Sequence, residues 1–152
     1  MRIVCDSSAL ISMSSNCLLY LLREFDADFL IPKGVQKEIV DNPLHTKRFR
    51  YSSVRMDQLI DEGSLELADF DIEEESDEIL DMAHNILKAG KHKIKMIHRG
   101  EADCLALLSH VGGGTFLIDE RTTRLLIENP LQLKDYMEAR AHRKLKMDEK
   151  AL

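Results

Sequence analysis

The chain has 152 residues and a formal net charge of −6; hydrophobic residues make up 44% and charged residues 32%. This length suits one domain with a real core, and the composition excludes a disordered or low-complexity chain. The negative balance excludes a generally basic nucleic-acid coat, so a nucleic-acid partner must be met by local basic patches.

Cys5, Cys17 and Cys104 are odd in number, widely spaced and set in apolar context, with no Cys/His ligand spacing. That predicts buried, reduced thiols in a cytoplasmic protein rather than a disulfide or a zinc site. The apolar run 9–22 is interrupted by Ser12, Ser14, Ser15 and Asn16. It falls short of the ~20 residues of a membrane span. Only Arg2 precedes it and Asp6 intervenes, which argues against a signal peptide.

In chain order, 2–5 reads as a buried strand ended by Asp6, with Ser7 and Ser8 as N-cap candidates for a helix over 8–24 that breaks near 14–16. Residues 28–31 form a second strand, ended by Pro32. A helix over 34–41 turns Val35, Ile39 and Val40 inward, with Glu38 on its flank, until Asn42-Pro43 terminates it. A lone helical Glu is usually solvated. Residues 44–63 read as a helix with Lys47, Arg48, Arg50 and Arg55 among apolar positions and Gly63 past its end. Strand three is 64–68, 69–75 is acidic surface, and 77–89 is an amphipathic helix closed by Gly90.

A basic connection comes next, with Lys91, His92, Lys93, Lys95, His98 and Arg99; it is either a solvated loop or a set of phosphate contacts. It leads into a helix with Glu101 and Asp103 in its first turn, then three glycines, then a strand over 115–118 that delivers Asp119. Acids suit a helix N-terminus through its free N–H groups and dipole, which is the bland explanation of the first two. Asp6 and Asp119, however, both come directly after predicted strands, where ligands bind in open α/β sheets. A helix from near Glu120 to Glu128 carries Arg121 and Arg124, Asn129-Pro130 breaks it, and a last helix over 131–147 ends in Arg140, Arg143, Lys144 and Lys146 before a frayed end.

Alternating strands and helices predict a parallel sheet with helices on both faces, so that Asp6, Asp119 and the start of the 101 helix meet at one rim. Four carboxylates sharing a pocket, Asp6, Glu38, Asp103 and Asp119, would repel pairwise by about 3 kcal/mol at ~5 Å and an effective dielectric of ~20. Protons or divalent cations must offset that. An all-oxygen set suits Mg²⁺ or Mn²⁺ and not zinc, and such an ion supports phosphodiester hydrolysis. Glu101 and Asp103 stand ~200° apart on a regular helix, so both face one pocket only if the helix start is irregular.

The ordered set Ile-Val-Cys-Asp6-Ser-Ser8, Ile-Pro-Lys-Gly-Val-Gln-Lys-Glu38, Gly-Glu101-Ala-Asp103 and Phe-Leu-Ile-Asp119 resembles a PIN domain over roughly 1–128. The resemblance implies a three-layer α/β/α fold with a central parallel sheet of four to five strands. The chain then divides into a PIN-like domain over 1–130, whose segment near 44–98 is a helical insertion longer than a minimal member of the family has, and a C-terminal helix and tail over 131–152. The resemblance further implies a Mg²⁺- or Mn²⁺-dependent endoribonuclease acting on single-stranded or structured RNA, either a toxin of a toxin–antitoxin pair or an RNA-processing nuclease. Asp6, Glu38, Glu101, Asp103 and Asp119 would be catalytic, with Asp6, Glu101, Asp103 and Asp119 on the metal. Ser8, Lys93, Lys95, Arg99, Arg121 and Arg124 would meet RNA, and an antitoxin protein or a second copy would be the protein partner.

Competing readings fit less well. A haloacid-dehalogenase-like phosphatase needs a second Asp two residues after the first, where Ser8 stands. A receiver domain needs an acidic pair before its first helix and a lysine after a late strand. A non-catalytic PIN-like module binding RNA or protein is the alternative from a different class.

Overall fold

Short β-branched apolar runs pair into strands, and Ile3-Val4-Cys5 does so near the middle of a sheet. The computed structural model describes residues 1–44, 49–89 and 92–148. Its first half runs β1 (Arg2–Cys5), α1 (Ser7–Ser15), α2 (Leu21–Glu24), β2 (Asp28–Pro32), α3 (Lys33–Gln36), a π-helical turn (Lys37–Asp41), α4 (Asn42–Leu44), α5 (Arg50–Asp61) and β3 (Glu66–Ala68). The second half runs α6 (Glu73–Ile86), β4 (Leu87–Ala89), β5 (His92–Lys93), α7 (Arg99–His110), β6 (Thr115–Leu117), α8 (Arg121–Glu128), α9 (Pro130–Ala141) and β7 (Lys146–Met147).

Four parallel strands form the central sheet in the order β3-β2-β1-β6, with Ile3 level with Phe29 on one side and Thr115 on the other. Helices flank it in a three-layer α/β/α arrangement; α7 packs across β1, β2 and β6. All four carboxyl ends reach one rim, where ligands bind in such sheets. One more rung is added there, as the Asp6 N–H donates to the Leu117 carbonyl at 3.0 Å. The main core gathers Val4, Leu10, Ile31, Leu59 and Leu107, all essentially without solvent contact. A second core joins Ile86, Leu87, Ile97, Ala102, Leu125, Leu133 and Leu145, and so binds α6, α7, α8 and α9 together.

The structure departs from the sequence expectation in several places. The amphipathic helix starts at Glu73, whose acidic first turn suits the dipole, and ends at Ile86. Leu87 and Ala89 are buried alternately in β4, which pairs antiparallel with both β5 and β7. The last helix stops at Ala141, where His142 takes a left-handed φ of +50°. Arg143, Lys144 and Lys146 therefore lie beyond the helix, and Lys146 is in a strand. Asn42-Pro43 does not end its helix, because the π turn opens the ladder just before it: the Asn42 N–H reaches back five residues to the Lys37 carbonyl. A proline is tolerated in the turn after such a break. The 44–63 helix is described from Arg50; Lys47 and Arg48 lie outside the described residues, as do Gly90, Lys91 and the end beyond Asp148.

The break after α1 is a helix cap. Cys17 adopts φ +59°, its N–H donates to the Ser14 carbonyl, and the Leu18 N–H donates to the Met13 carbonyl. This is the Schellman pattern. It leaves Cys17 exposed, against the expectation of three buried thiols, while Cys5 and Cys104 are buried. Among the described residues no helix is long and apolar enough to cross a membrane.

Two outcomes check this packing. Leu133→Ala, emptying a fully buried position of the second core, is expected to lower unfolding stability by about 2–5 kcal/mol. Leu131→Ala, at 68% exposure, is expected to change it by less than about 0.5 kcal/mol in the same urea titration. The thiols should also divide. Burial, and after it Asp6, pushes Cys5 up to about 12, and burial raises Cys104 as well. A disulfide reagent at neutral pH should therefore modify Cys17 alone until the chain unfolds; rapid reaction at all three would contradict this burial.

Candidate functional site

Asp6 is the first residue after β1 and the N-cap of α1. Its Oδ2 accepts the Ser8 N–H at 3.0 Å and also the Ser8 hydroxyl. A carboxylate only 3% exposed needs such donors. Ser8, expected to face RNA, holds Asp6 in place and lines the same cleft.

Glu101 is buried too, at 6% exposure. It stands at the third position of α7 and reaches back to accept the His98 N–H at 2.5 Å through Oε2. Its Oε1 accepts the hydroxyl of Thr123, itself fully buried, at 2.6 Å. The Thr123 N–H donates in turn to Glu120 at 3.0 Å, and the Thr122 N–H donates to the same oxygen. One threonine thus ties together two carboxylates from the starts of α7 and α8. Burial raises the proton affinity of Glu101, and Asp6 and Glu120 raise it further, against the lowering effect of its two hydrogen bonds.

Glu38 enters from the π turn, a feature that often sits at functional positions. Its carboxylate lies over Gly100, where a Cβ would come within 3.2 Å of Glu38 Oε1. Asp6, Ser7, Ser8, Glu38, His98, Gly100, Glu101 and Glu120 line one cleft of about 370 Å³.

Asp103 faces elsewhere. It is buried and paired with Arg99, whose Nε donates to Oδ1 at 2.8 Å; the Arg99 Nη1 donates to Asp77 at 2.5 Å. Its other oxygen lies over Gly34, where a Cβ would meet it at 2.5 Å. Asp103 and Arg99 line a neighbouring cleft of about 600 Å³ with Lys33, Gly34, Lys37 and Phe70. The helix start is regular, so the ~200° between Glu101 and Asp103 sends them to different clefts. Asp119 is exposed, and the next residue, Glu120, is the one that lines the acidic cleft. Of the four acids expected to share a pocket, the structure brings together Asp6 and Glu38. Glu101 and Glu120 complete the lining.

The expected RNA contacts are dispersed. Lys93 pairs with Asp81 at 3.4 Å, Lys95 is exposed, Arg121 lies over the Tyr136 ring at 4.7 Å, and Arg124 approaches Glu128 at 3.9 Å. Arg99 lines the cleft of about 600 Å³ and Ser8 the acidic one. Sequence reasoning missed Glu120, Thr123, Lys33 and Lys37. The adjacent acids Asp119-Glu120 and the Lys33/Lys37 spacing of four were the available signals.

Four carboxylates, Asp6, Glu38, Glu101 and Glu120, line the acidic cleft beside the Ser7 and Ser8 hydroxyls and the His98 ring, a mainly oxygen set that fits a hard divalent cation such as Mg²⁺ or Mn²⁺. Burial is the main cause of the raised proton affinity of Glu101, and the negative charge of Asp6 and Glu120 is a smaller one. Among the described residues no three His, Cys, Asp or Glu side chains stand close enough together to hold an ion as placed. Closure of the set needs side-chain movement, and Glu38, exposed at the cleft mouth, is the one free to make it.

A family model described as a PIN domain matches residues 2–130. No curated protein matches the chain significantly.

Glu101 gives a test of the local electrostatics. Its native proton affinity is raised above the ordinary value of 4.5, so its contribution to stability is fully present below pH 4.5 and is lost as pH rises through the raised native value. In metal-free protein, Glu101→Gln is expected to add a constant offset from its altered hydrogen bonds and to remove this loss. Wild type should therefore fall relative to the variant as pH rises above 4.5 in urea unfolding with EDTA. A pH-independent difference would contradict the assignment.

Proposed function

We propose that this chain, which belongs to the PIN domain family, is a Mg²⁺- or Mn²⁺-dependent endoribonuclease whose active site is the cleft lined by Asp6, Glu38, Glu101 and Glu120. The family is a nuclease family. The observation that carries the reading is the pair of buried carboxylates, Asp6 and Glu101, held at the carboxyl rim of the sheet beside two further acids in one cleft. Burying two carboxylates this close to Glu120 costs stability, and a cation-binding role accounts for that arrangement.

A divalent ion in such a site polarises a phosphoryl oxygen and lowers the pKa of a bound water. Asp6, Glu101 and Glu120 would hold it, with Glu38 completing the set. The chain's own contribution is to fix these oxygens in advance. Ser8 orients Asp6, the His98 N–H and Thr123 hydroxyl orient Glu101, and the first amides of α8 orient Glu120. Such anchoring lets the carboxylates meet charge without reorganising. Asp103, neutralised by Arg99, anchors α7 to α6 through Asp77. Asp119 stands one residue outside the cleft, available to solvent and substrate.

A second reading is a non-catalytic module that binds RNA or protein. The ion pair of Asp103 and the double engagement of Glu101 favour it, because both leave fewer free oxygens.

Cleavage of a mixed-sequence single-stranded RNA with Mn²⁺, Mg²⁺ or EDTA separates the two. The expected result is metal-dependent cutting that Asp6→Asn and Glu101→Gln each reduce by about 100-fold or more, the scale of losing one fixed charge-stabilising group. Glu120→Gln should cost more than Asp119→Asn, and Asp103→Asn should act mainly on stability. No cutting and no Mn²⁺ binding by the folded chain would overturn the enzyme reading in favour of the module.

A further inference from the structure

Residues adjacent in the chain line the two clefts: Lys37 the larger and Glu38 the acidic one, Arg99 the larger and Gly100 the acidic. A ligand that passes these two segments reaches from one cleft into the other. Phe70 lies in the larger cleft, 44% exposed, in the connection between β3 and α6. The His110 ring supports it at a centroid distance of 4.5 Å. An aromatic ring offered in this way to a cleft of about 600 Å³ is a platform for another flat ring.

The charges define what enters. Lys33 is tied to Asp69, and Arg99 to Asp77 and Asp103. Lys37 is exposed and has no ion-pair partner among the described residues. Asp71 and Glu73 add negative charge to the lining. A phosphate is repelled from most of this cleft and welcomed only near Lys37. A neutral base is admitted, and carboxylates can accept hydrogen bonds from its amino groups. A base can stack on Phe70 only if it has left its neighbours, which selects single strands over duplexes.

We propose that the larger cleft is a base-binding subsite for single-stranded RNA, in which an unpaired base stacks on Phe70 and the adjoining phosphate meets Lys37, next to the phosphodiester held in the acidic cleft. The position of the subsite rests on the nuclease reading; the binding of an unpaired base does not.

The test uses the full chain carrying Asp6→Asn, which keeps a good helix cap and stops cleavage. Binding of a fluorescent single-stranded RNA is measured by anisotropy in EDTA over a range of salt. Phe70→Ala is expected to weaken binding by about tenfold without changing its salt dependence, and Phe70→Tyr to restore it. Lys37→Ala should lower the slope of log affinity against log salt by about 0.7, the value for one phosphate contact on a single strand. The same RNA annealed to its complement should bind more weakly than the single strand. Unchanged affinity in folded Phe70→Ala, equal binding of the duplex, or no RNA binding at all would each overturn the subsite. Asp6-dependent cutting that ignores Phe70 would remove the subsite and leave the nuclease. Phe70-dependent binding by a wild-type chain that never cuts would keep the base-binding cleft and remove the nuclease.

Discussion

The hydroxyl of Thr123 donates to Glu101 while the backbone N–H of the same residue donates to Glu120. Much of the rim depends on this pair of hydrogen bonds. The starts of two successive helices, on either side of β6, are fixed to each other through their acids, and each acid also caps its own helix. Electrostatically the arrangement is unfavourable, since like charges are gathered in a partly dry cleft. It persists because Asp6, Glu101 and Glu120 are each met by donors that the fold must in any case place there, the free amides at helix N-termini. The same groups that satisfy the helix ends preorganise the candidate metal ligands.

The second core carries that organisation beyond the central sheet. Ala102 on α7 and Leu125 on α8 share it with Leu133 on α9 and Leu145 near β7. The C-terminal segment, past the part of the chain matched to the family, therefore braces the two helices whose first turns bear Glu101 and Glu120. Arg121 over Tyr136 adds a link between α8 and α9 at the end nearest the cleft.

Much of this was legible in the sequence, for physical reasons. Ile3-Val4-Cys5 and Phe29-Leu30-Ile31 are apolar runs too short for helices and bounded by turn residues, which is enough to imply the parallel sheet and the rim position of Asp6. The 87–89 and 146–147 strands were hidden because each is very short and continues an apolar helical pattern; only tertiary pairing decides their state. The acids were visible, but their distribution between two clefts was not. Helical angle separated Glu101 from Asp103, while the pairing of Asp103 with Arg99 and Asp77 needed the packing of α6 on α7. Glu120 was masked by its neighbour Asp119, because a strand end and a helix cap compete for adjacent residues and only the backbone turn decides which points inward.

The π turn that carries Glu38 contains one residue more than an α-helical turn would need. The extra residue sits between α3 and α4. Deleting one position between Lys37 and Asp41 would restore an ordinary ladder while rotating α3 by about 100° relative to α4. Lys37 and Glu38 would exchange clefts or lose both, with the apolar packing of Ile39 and Val40 the main restraint on the outcome. The register of this one turn sets which of the two clefts Lys37 and Glu38 each line, while the sheet is left unchanged.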